Sequence, residues 1–248
     1  MKLSEFFRTN TRAAVAFSGG VDSSYLLYEA KRCGADVTAY FVKSQFQPAF
    51  ELADARRLSG ELGVPLTVIG LDALADETVR ANPPDRCYHC KKRIFTAVAQ
   101  AARRDGYDLL LDGTNASDDA GDRPGMRALE ELSVRSPLRE CGLTKERIRA
   151  LSKDAGLFTW NKPAYACLAT RIAAGEPLTE EKLARTERAE DFLFSLGFSD
   201  FRVRSRGDTA VIQLRESQFE SFAEHRKTIV SALKREYREA LLDTEGRK

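Results

Sequence analysis

The strongest constraint on this chain is a short polar stretch, Ser18-Gly19-Gly20-Val21-Asp22-Ser23-Ser24. It lies between an apolar run, Ala13-Ala14-Val15-Ala16-Phe17, and a helix-like continuation, Tyr25-Leu26-Leu27-Tyr28-Glu29-Ala30. The order predicts a strand, a tight loop and a helix start. Two adjacent glycines let the backbone turn sharply and approach a ligand closely, and the first helix amides have no intrahelical acceptor. A loop of this kind binds phosphate. A Walker-type loop requires Gly-x-x-x-x-Gly-Lys-Ser/Thr, and no lysine follows these glycines, so ordinary transfer of a γ-phosphate is disfavoured.

A second strand end, Leu109-Leu110-Leu111-Asp112, passes through Gly113-Thr114-Asn115-Ala116-Ser117 into the acidic pair Asp118-Asp119. Strand ends on one edge of a parallel sheet converge on one crevice, so both motifs are expected to face one nucleotide, with Gly113 and Thr114 joining residues 18–24. The phosphates of a bound nucleotide call for Mg²⁺, which prefers one or two carboxylates plus substrate oxygens. Asp22 and Asp118 are the candidates. The alternative is a helix cap at Asn115 followed by solvated carboxylates.

With 248 residues, 43% of them hydrophobic, the chain can bury a sizeable core. The 39 basic and 37 acidic residues nearly cancel, which argues against nucleic acid and for small-molecule partners. No apolar run approaches membrane-spanning length, and Met1-Lys2-Leu3-Ser4-Glu5-Phe6-Phe7-Arg8 is too short and charged for a signal peptide. A cytoplasmic location is expected, without membrane contact. Strand patterns at 36–42 and 65–69 flank a helical one at 49–62, helical spacing resumes at 91–104, a strand follows at 108–111, and Thr144 and Gly156 bracket another helix. The expectation is an α/β doubly wound, mostly parallel sheet over residues 1–160. Residues 161–248 form a smaller α+β region: a helix at 179–196, strands at 201–205 and 209–214 joined through Arg206-Gly207-Asp208, a closing helix and a frayed charged tail.

Five cysteines in such a chain point to metal or redox chemistry rather than a disulfide framework. Cys87-Tyr88-His89-Cys90 is expected in a loop after Asn82-Pro83-Pro84, and Cys167 lies far downstream in Ala166-Cys167-Leu168-Ala169-Thr170-Arg171. Three thiolates on an iron–sulfur cluster leave one iron open to a ligand such as sulfide. Zinc held with His89, a redox pair, or a lone reactive Cys167 remain open on these residues alone. Cys33 and Cys141 lack partners at metal spacing and read as filler.

Ser-Gly-Gly-Val-Asp-Ser and Gly-Thr-Asn-x-x-Asp together resemble the N-type ATP pyrophosphatases. The further runs Arg123-Pro124-Gly125, Ser136-Pro137-Leu138, Lys162-Pro163, Cys167-Leu168-Ala169-Thr170-Arg171 and Arg202-Val203-Arg204 are similar to the LarE family, over nearly the whole chain. That resemblance implies a PP-loop fold of the adenine nucleotide α-hydrolase type. It also implies an ATP-dependent sulfurtransferase that adenylates the carboxylates of pyridinium-3,5-biscarboxylic acid mononucleotide and converts them to thiocarboxylates for the nickel-pincer nucleotide cofactor. One branch of the family gives up the sulfur of a single cysteine, matched here by Cys167. Another uses three cysteines and a [4Fe-4S] cluster, which Cys87, Cys90 and Cys167 match. Thr170 stands where the family's pattern has serine. The resemblance further implies a homo-oligomer and a sulfide donor.

Arg202 and Arg204 alternate along a strand, so both guanidinium groups project from one face and suit a mononucleotide phosphate. A solvated strand face is the bland alternative. Glu190 is the family-matched candidate for a second metal or substrate contact, against an exposed helix carboxylate. A tRNA thiolase or a non-catalytic nucleotide- or metal-responsive module are the rival readings.

Overall fold

A computed structural model describes residues 1–118 and 124–247, so Asp119 and Arg123 lie outside the described residues. In chain order the elements are α1 (Leu3–Thr9), β1 (Arg12–Ala16), α2 (Val21–Arg32), β2 (Asp36–Lys43), α3 (Ala49–Leu62), β3 (Leu66–Gly70), α4 (Glu77–Ala81) and α5 (Arg86–Arg104). There follow β4 (Leu110–Leu111), α6 (Pro124–Glu131), α7 (Pro137–Glu140), α8 (Lys145–Asp154), α9 (Glu180–Ser195), β5 (Arg202–Arg206), β6 (Thr209–Gln213), α10 (Phe219–Leu233) and β7 (Glu239–Leu242). The chain divides into two compact units, one of residues 1–72 and 85–162, the other of 73–84 and 163–248.

The first unit is built on a four-stranded sheet in the order β3-β2-β1-β4, with every pairing parallel. Parallel strands are covered on both faces, which is why Ala13-Ala14-Val15 is apolar without alternation and fully buried. Val15, Leu26, Phe41, Leu58 and Ile148 make one core layer, and Ala14, Tyr40, Val98, Leu110 and Leu129 make the other. The strand order reverses at β1: β2 and β3 lie to one side, β4 to the other. Ligands of open α/β sheets bind beyond the carboxyl ends of the strands at such a point. The expectation of an α/β, parallel sheet is met.

The second unit carries a three-stranded sheet in the order β5-β6-β7. The turn between β5 and β6 uses Gly207 at φ +54°, and the pair is antiparallel with Arg204 opposite Val211. Leu193, Phe201, Val203, Ile212, Ile229 and Leu233 form its core. Residues 73–84 belong to this unit through main-chain bonds: the Leu178 amide donates to Arg80 O at 2.8 Å and the Gly175 amide to Asn82 O at 2.7 Å.

Thr144 caps α8 as its sequence predicts, and Thr179, expected as the first residue of a helix, caps α9; each hydroxyl accepts from the amide three residues on. Three expectations need correction. Helix α5 starts at Arg86, not Lys91, so Cys87 and Cys90 sit on its first turn rather than in a loop. The last helix is followed by β7, which pairs in parallel with β6. The charged tail is tied down as far as residue 247: the Arg247 amide donates to Leu214 O at 2.7 Å, and Gln213 donates to Asp243 at 2.8 Å.

Candidate functional site

At the carboxyl end of β1 the chain turns through Gly19, whose φ of +71° is left-handed. A Cβ there would also come within 3.2 Å of Glu51 O, so the turn needs glycine for both conformation and space. Ser18 Oγ lies 3.0 Å from Ser23 Oγ, and Ser23 Oγ donates to Gly20 O at 3.3 Å, which closes the loop on itself. Gly20 is the N-cap of α2 and supplies no capping side chain. The first-turn amides of Val21 and Asp22 are therefore left for an external anion.

The loop after β4 meets this turn directly. An added Cβ on Gly113 would lie 2.8 Å from the Ser23 amide nitrogen, so only glycine allows the two backbones to approach so closely. Asp112 is buried, accepting from Thr114 Oγ1 at 2.5 Å and Ser136 Oγ at 2.6 Å, and burial raises its pKa from its ordinary value. Asn115 Oδ1 accepts from the Ser117 amide at 2.8 Å, and Asp118 Oδ2 accepts from the Asn115 amide at 3.0 Å. Here Asn115 folds an Asx turn instead of capping a helix. Asp22 presents one oxygen, Oδ1, that is buried and has no hydrogen-bond partner. A hard cation would satisfy that atom, so the carboxylate fits a Mg²⁺ ligand.

Two lysines complete the loop: Lys162, from the Lys162-Pro163 run of the family resemblance, and Lys145, which the sequence pattern does not single out. Lys162 Nζ donates to Asp54 Oδ2 at 2.7 Å and to Gly19 O at 3.2 Å, tethering the glycine turn. Lys145, the first residue of α8, forms an ion pair with Asp22 Oδ2. Neither lies at a fixed spacing from the glycines. Their only sequence signal is position beside a helix cap or a proline.

Cys87 is exposed and Cys90 buried on the first turn of α5, three residues apart and so on neighbouring positions of one helix face. Between them, the Tyr88 hydroxyl lies 2.9 Å from both oxygens of Glu131, and Lys92 Nζ lies 2.8 Å from Glu131 Oε2. The Arg127 guanidinium covers the Tyr88 ring at 3.7 Å. This network pins α6 to the turn that carries the cysteines. Burial raises the pKa of both Cys33 and Cys141, as suits packing thiols. Within each unit, no three His, Cys, Asp or Glu side chains among the described residues converge at metal-binding distance. Two thiols on one turn plus the partly buried Cys167 have the donor chemistry of a three-thiolate site.

In the second unit, Cys167 precedes a short 3-10 turn, Leu168–Arg171. Thr170 Oγ1 donates to Cys167 O at 2.8 Å, a bond that a serine hydroxyl would make equally well. Arg171 is fully buried and holds this segment from within, donating to Ala166 O at 2.8 Å. Its partner is Glu190, which is 1% exposed and thus no solvated helix carboxylate. Glu190 Oε1 accepts from Arg171 Nε at 2.8 Å and the Val203 amide at 2.9 Å; Oε2 accepts from Arg171 Nη2 at 3.1 Å and the Tyr165 hydroxyl at 2.5 Å. Four donors occupy the four lone-pair positions of a carboxylate, so a metal contact would cost one of these bonds. Glu190 acts as the anchor of the Cys167 segment.

Arg202 and Arg204 do share one face of β5. They line a cavity of about 510 Å³ together with Ala166, Thr170, Gln213, Asp243 and residues 245–247. Thus the residues on either side of Cys167's turn open onto the arginine cavity. Arg202 donates to Phe201 O at 2.6 Å and to Ala164 O; Arg204 donates to Gln213 at 2.9 Å and to Thr170 O at 2.5 Å. Burial, followed by the charges of Arg171 and Arg247, pushes the Arg202 pKa down to about 10. Arg204 is lowered by burial and then by Arg171, and Arg247 is lowered by burial. Guanidinium groups crowded in this way gain from an anion placed among them. Arg247 is the member that sequence reading missed.

Residues 11–135 match the family of the tRNA methyl transferase HUP domain. Over 213 residues, 85% of this chain and 77% of the relative, the sequence is 37% identical to the pyridinium-3,5-bisthiocarboxylic acid mononucleotide synthase of Lactiplantibacillus plantarum. The chain belongs to the LarE family. Another relative, an uncharacterised protein of Synechocystis, is 36% identical over 223 residues, 90% of this chain and 83% of its own. A tRNA-specific 2-thiouridylase of Clostridium botulinum is 29% identical over 181 residues, 60% of this chain and 51% of that protein. Among the described residues of this LarE family member, no helix is long and apolar enough to cross a membrane.

Proposed function

We propose that this protein is an ATP-dependent sulfurtransferase that adenylates the carboxylates of pyridinium-3,5-biscarboxylic acid mononucleotide and replaces the activated oxygen by sulfur. The observation that carries the reading is the pairing, in one chain, of a backbone phosphate loop with an arginine cavity onto which the Cys167 segment opens. The 37% identity to the pyridinium-3,5-bisthiocarboxylic acid mononucleotide synthase supports the choice of substrate. A tRNA thiolase is less well supported, because the formal charge is only +2 and the thiouridylase match spans 60% of the chain.

Carboxylate is a poor electrophile, since its charge repels nucleophiles and oxide is a poor leaving group. In this reading the loop at residues 18–24 takes the β- and γ-phosphates of ATP on its first-turn amides, with Gly113 and Thr114 closing the crevice. A substrate carboxylate oxygen attacks the α-phosphorus, and the bond from that phosphorus to the pyrophosphate oxygen breaks. Mg²⁺ held by Asp22 and Asp118 would offset charge on the departing pyrophosphate. Arg202, Arg204 and Arg247 hold the substrate's phosphate, fixing the pyridinium ring and its carboxylates by a group that does not react. A sulfur nucleophile then attacks the acyl carbon, and AMP leaves with the carboxylate oxygen it had taken. A [4Fe-4S] cluster with Cys87, Cys90 and Cys167 as its thiolate ligands would supply that sulfur as a sulfide on its open iron, replenished by a sulfide donor. The enzyme is assigned to the cytoplasm as a homo-oligomer.

The test is anaerobic purification with iron and acid-labile sulfide assays, beside thiocarboxylate formation from ATP and the pyridinium substrate. About four irons per chain, lost in Cys87→Ala together with repeated turnover, are expected. An iron-free protein that performs one turnover and loses the Cys167 sulfur would replace the cluster with a sacrificial cysteine. Absence of substrate-dependent ATP–pyrophosphate exchange would overturn the whole reading.

A further inference from the structure

Asp22 stands where an incoming polyphosphate must approach, on the first turn of α2 beside the glycine loop. A bare carboxylate there would repel the nucleotide. Its Oδ2 is compensated by the Lys145 ammonium, whereas Oδ1 is buried without a partner. The two side chains are only 29% and 21% exposed, so solvent does not fully screen the pair.

The two lysines at this loop are held differently. Lys162 is 15% exposed and fixed by both a carboxylate and a main-chain carbonyl, which makes it a tether. Lys145 is fixed at its backbone: its amide donates to Ser117 Oγ at 3.0 Å, and the Ala116 amide donates to Leu143 O at 2.8 Å. Its ammonium rides on a flexible four-carbon stem from that fixed point. The backbone beside the Asp118 turn therefore aims a mobile cation at Asp22.

We infer that Lys145 is an exchangeable counter-ion: it holds Asp22 until a divalent cation arrives with its polyphosphate, then swings onto the phosphate oxygens and so couples metal binding to nucleotide binding. This rests on the proposal that the first unit binds ATP with a divalent cation. A metal ion arriving alone at Oδ1 shares the carboxylate with the ammonium on Oδ2, whose like charge opposes it, and an ammonium driven off is left without an anion. A metal ion arriving with pyrophosphate gives the ammonium a new partner. The two ligands thereby strengthen each other, and linkage requires the effect to be reciprocal.

The experiment measures binding of Mn²⁺ alone and with inorganic pyrophosphate, by the loss of the free-ion electron paramagnetic resonance signal. Lys145→Met is expected to bind Mn²⁺ alone about five- to tenfold more tightly than the wild type, the weight of a partly buried charge pair, and to lose a similar factor in its enhancement by pyrophosphate. Lys145→Arg keeps the cation and is expected to keep the wild-type pattern. Adding Asp22→Asn to Lys145→Met should abolish the gain. Unchanged metal-alone affinity in Lys145→Met overturns the inference; so does a gain in Lys145→Arg, which also serves should the methionine variant not fold. Wild-type protein that binds neither ATP nor pyrophosphate with the metal would instead defeat the functional reading, so the two failures are distinct.

Discussion

The two anion sites of this chain are built from different materials. The loop at residues 18–24 uses backbone amides, a left-handed glycine and a close approach by Gly113, and the two lysines beside it, Lys145 and Lys162, are already engaged with Asp22, Asp54 or a carbonyl. The cavity in the second unit uses side chains: Arg202 and Arg204 from one strand, Arg247 from a later segment, with Arg171 behind them. A backbone site demands particular residues at particular spacings, because few residues allow the conformation. A guanidinium site requires only that charges meet in space, and any segment brought there by the fold can supply one.

The largest consequence concerns what keeps the guanidinium site in place. Removing the Glu190 carboxylate leaves Arg171 buried and uncompensated, so Glu190→Ala is expected to cost ~3–5 kcal/mol in urea unfolding. Glu190→Gln keeps an acceptor oxygen and should lie between that variant and the wild type. A loss in Glu190→Ala below about 1 kcal/mol would mean that the pair does not anchor the Cys167 segment, and the contrast between a self-supporting loop and a charge-supported cavity would collapse.

The backbone site breaks by crowding. Gly113→Ala places a Cβ at 2.8 Å from the Ser23 nitrogen, where neither backbone can yield freely. Overpacking of this kind costs about 1–3 kcal/mol. ATP affinity, measured calorimetrically, should fall by at least about tenfold as the two strand-end loops are forced apart. Binding of a pyridinium mononucleotide is expected to stay unchanged, since none of its proposed contacts involves Gly113. Equal loss at both sites would show that the two do not behave as separately built.

The same distinction explains what the sequence disclosed. The strand, loop and helix around Ser18–Ser24, the cap at Thr144 and the alternation of Arg202 and Arg204 are local patterns, and each is legible. Helix α5 was placed five residues late because Asn82-Pro83-Pro84 breaks structure and Cys-Tyr-His-Cys has weak helix propensity. Tertiary contacts override both: Arg86 lies 5.7 Å from the Phe46 ring centroid, and Tyr88 is held by Glu131. Strand β7 is four residues long and only its pairing with β6 distinguishes it from a helix end. Lys145, Lys162 and Arg247 act through partners 123, 108 and 47 positions away, Asp22, Asp54 and Asp200 respectively, and no window along the chain reports that.

A smaller effect separates the sites by pH. Amides do not titrate, so the backbone contribution of the phosphate loop should hold without change over the alkaline range while the protein stays folded. The arginine cavity should not. Arg202 is pushed down to about 10 by burial and by the neighbouring charges of Arg171 and Arg247, so it is cationic at pH 7 and loses its proton as pH rises through that value. A phosphate monoester is a dianion well below this range, leaving the arginine as the group that changes. Mononucleotide affinity is therefore expected to be flat from about pH 7.5 to 9 and to fall above about pH 10. Arg247→Ala should weaken binding a few-fold at neutral pH because one cation is gone. It should also move the alkaline fall upward, because one of the charges that depresses Arg202 is gone. Weaker binding with an earlier fall would mean that Arg247 supports Arg202 structurally rather than competing with it for the proton-bearing form, and the crowding of charges that defines this site would not be what tunes it.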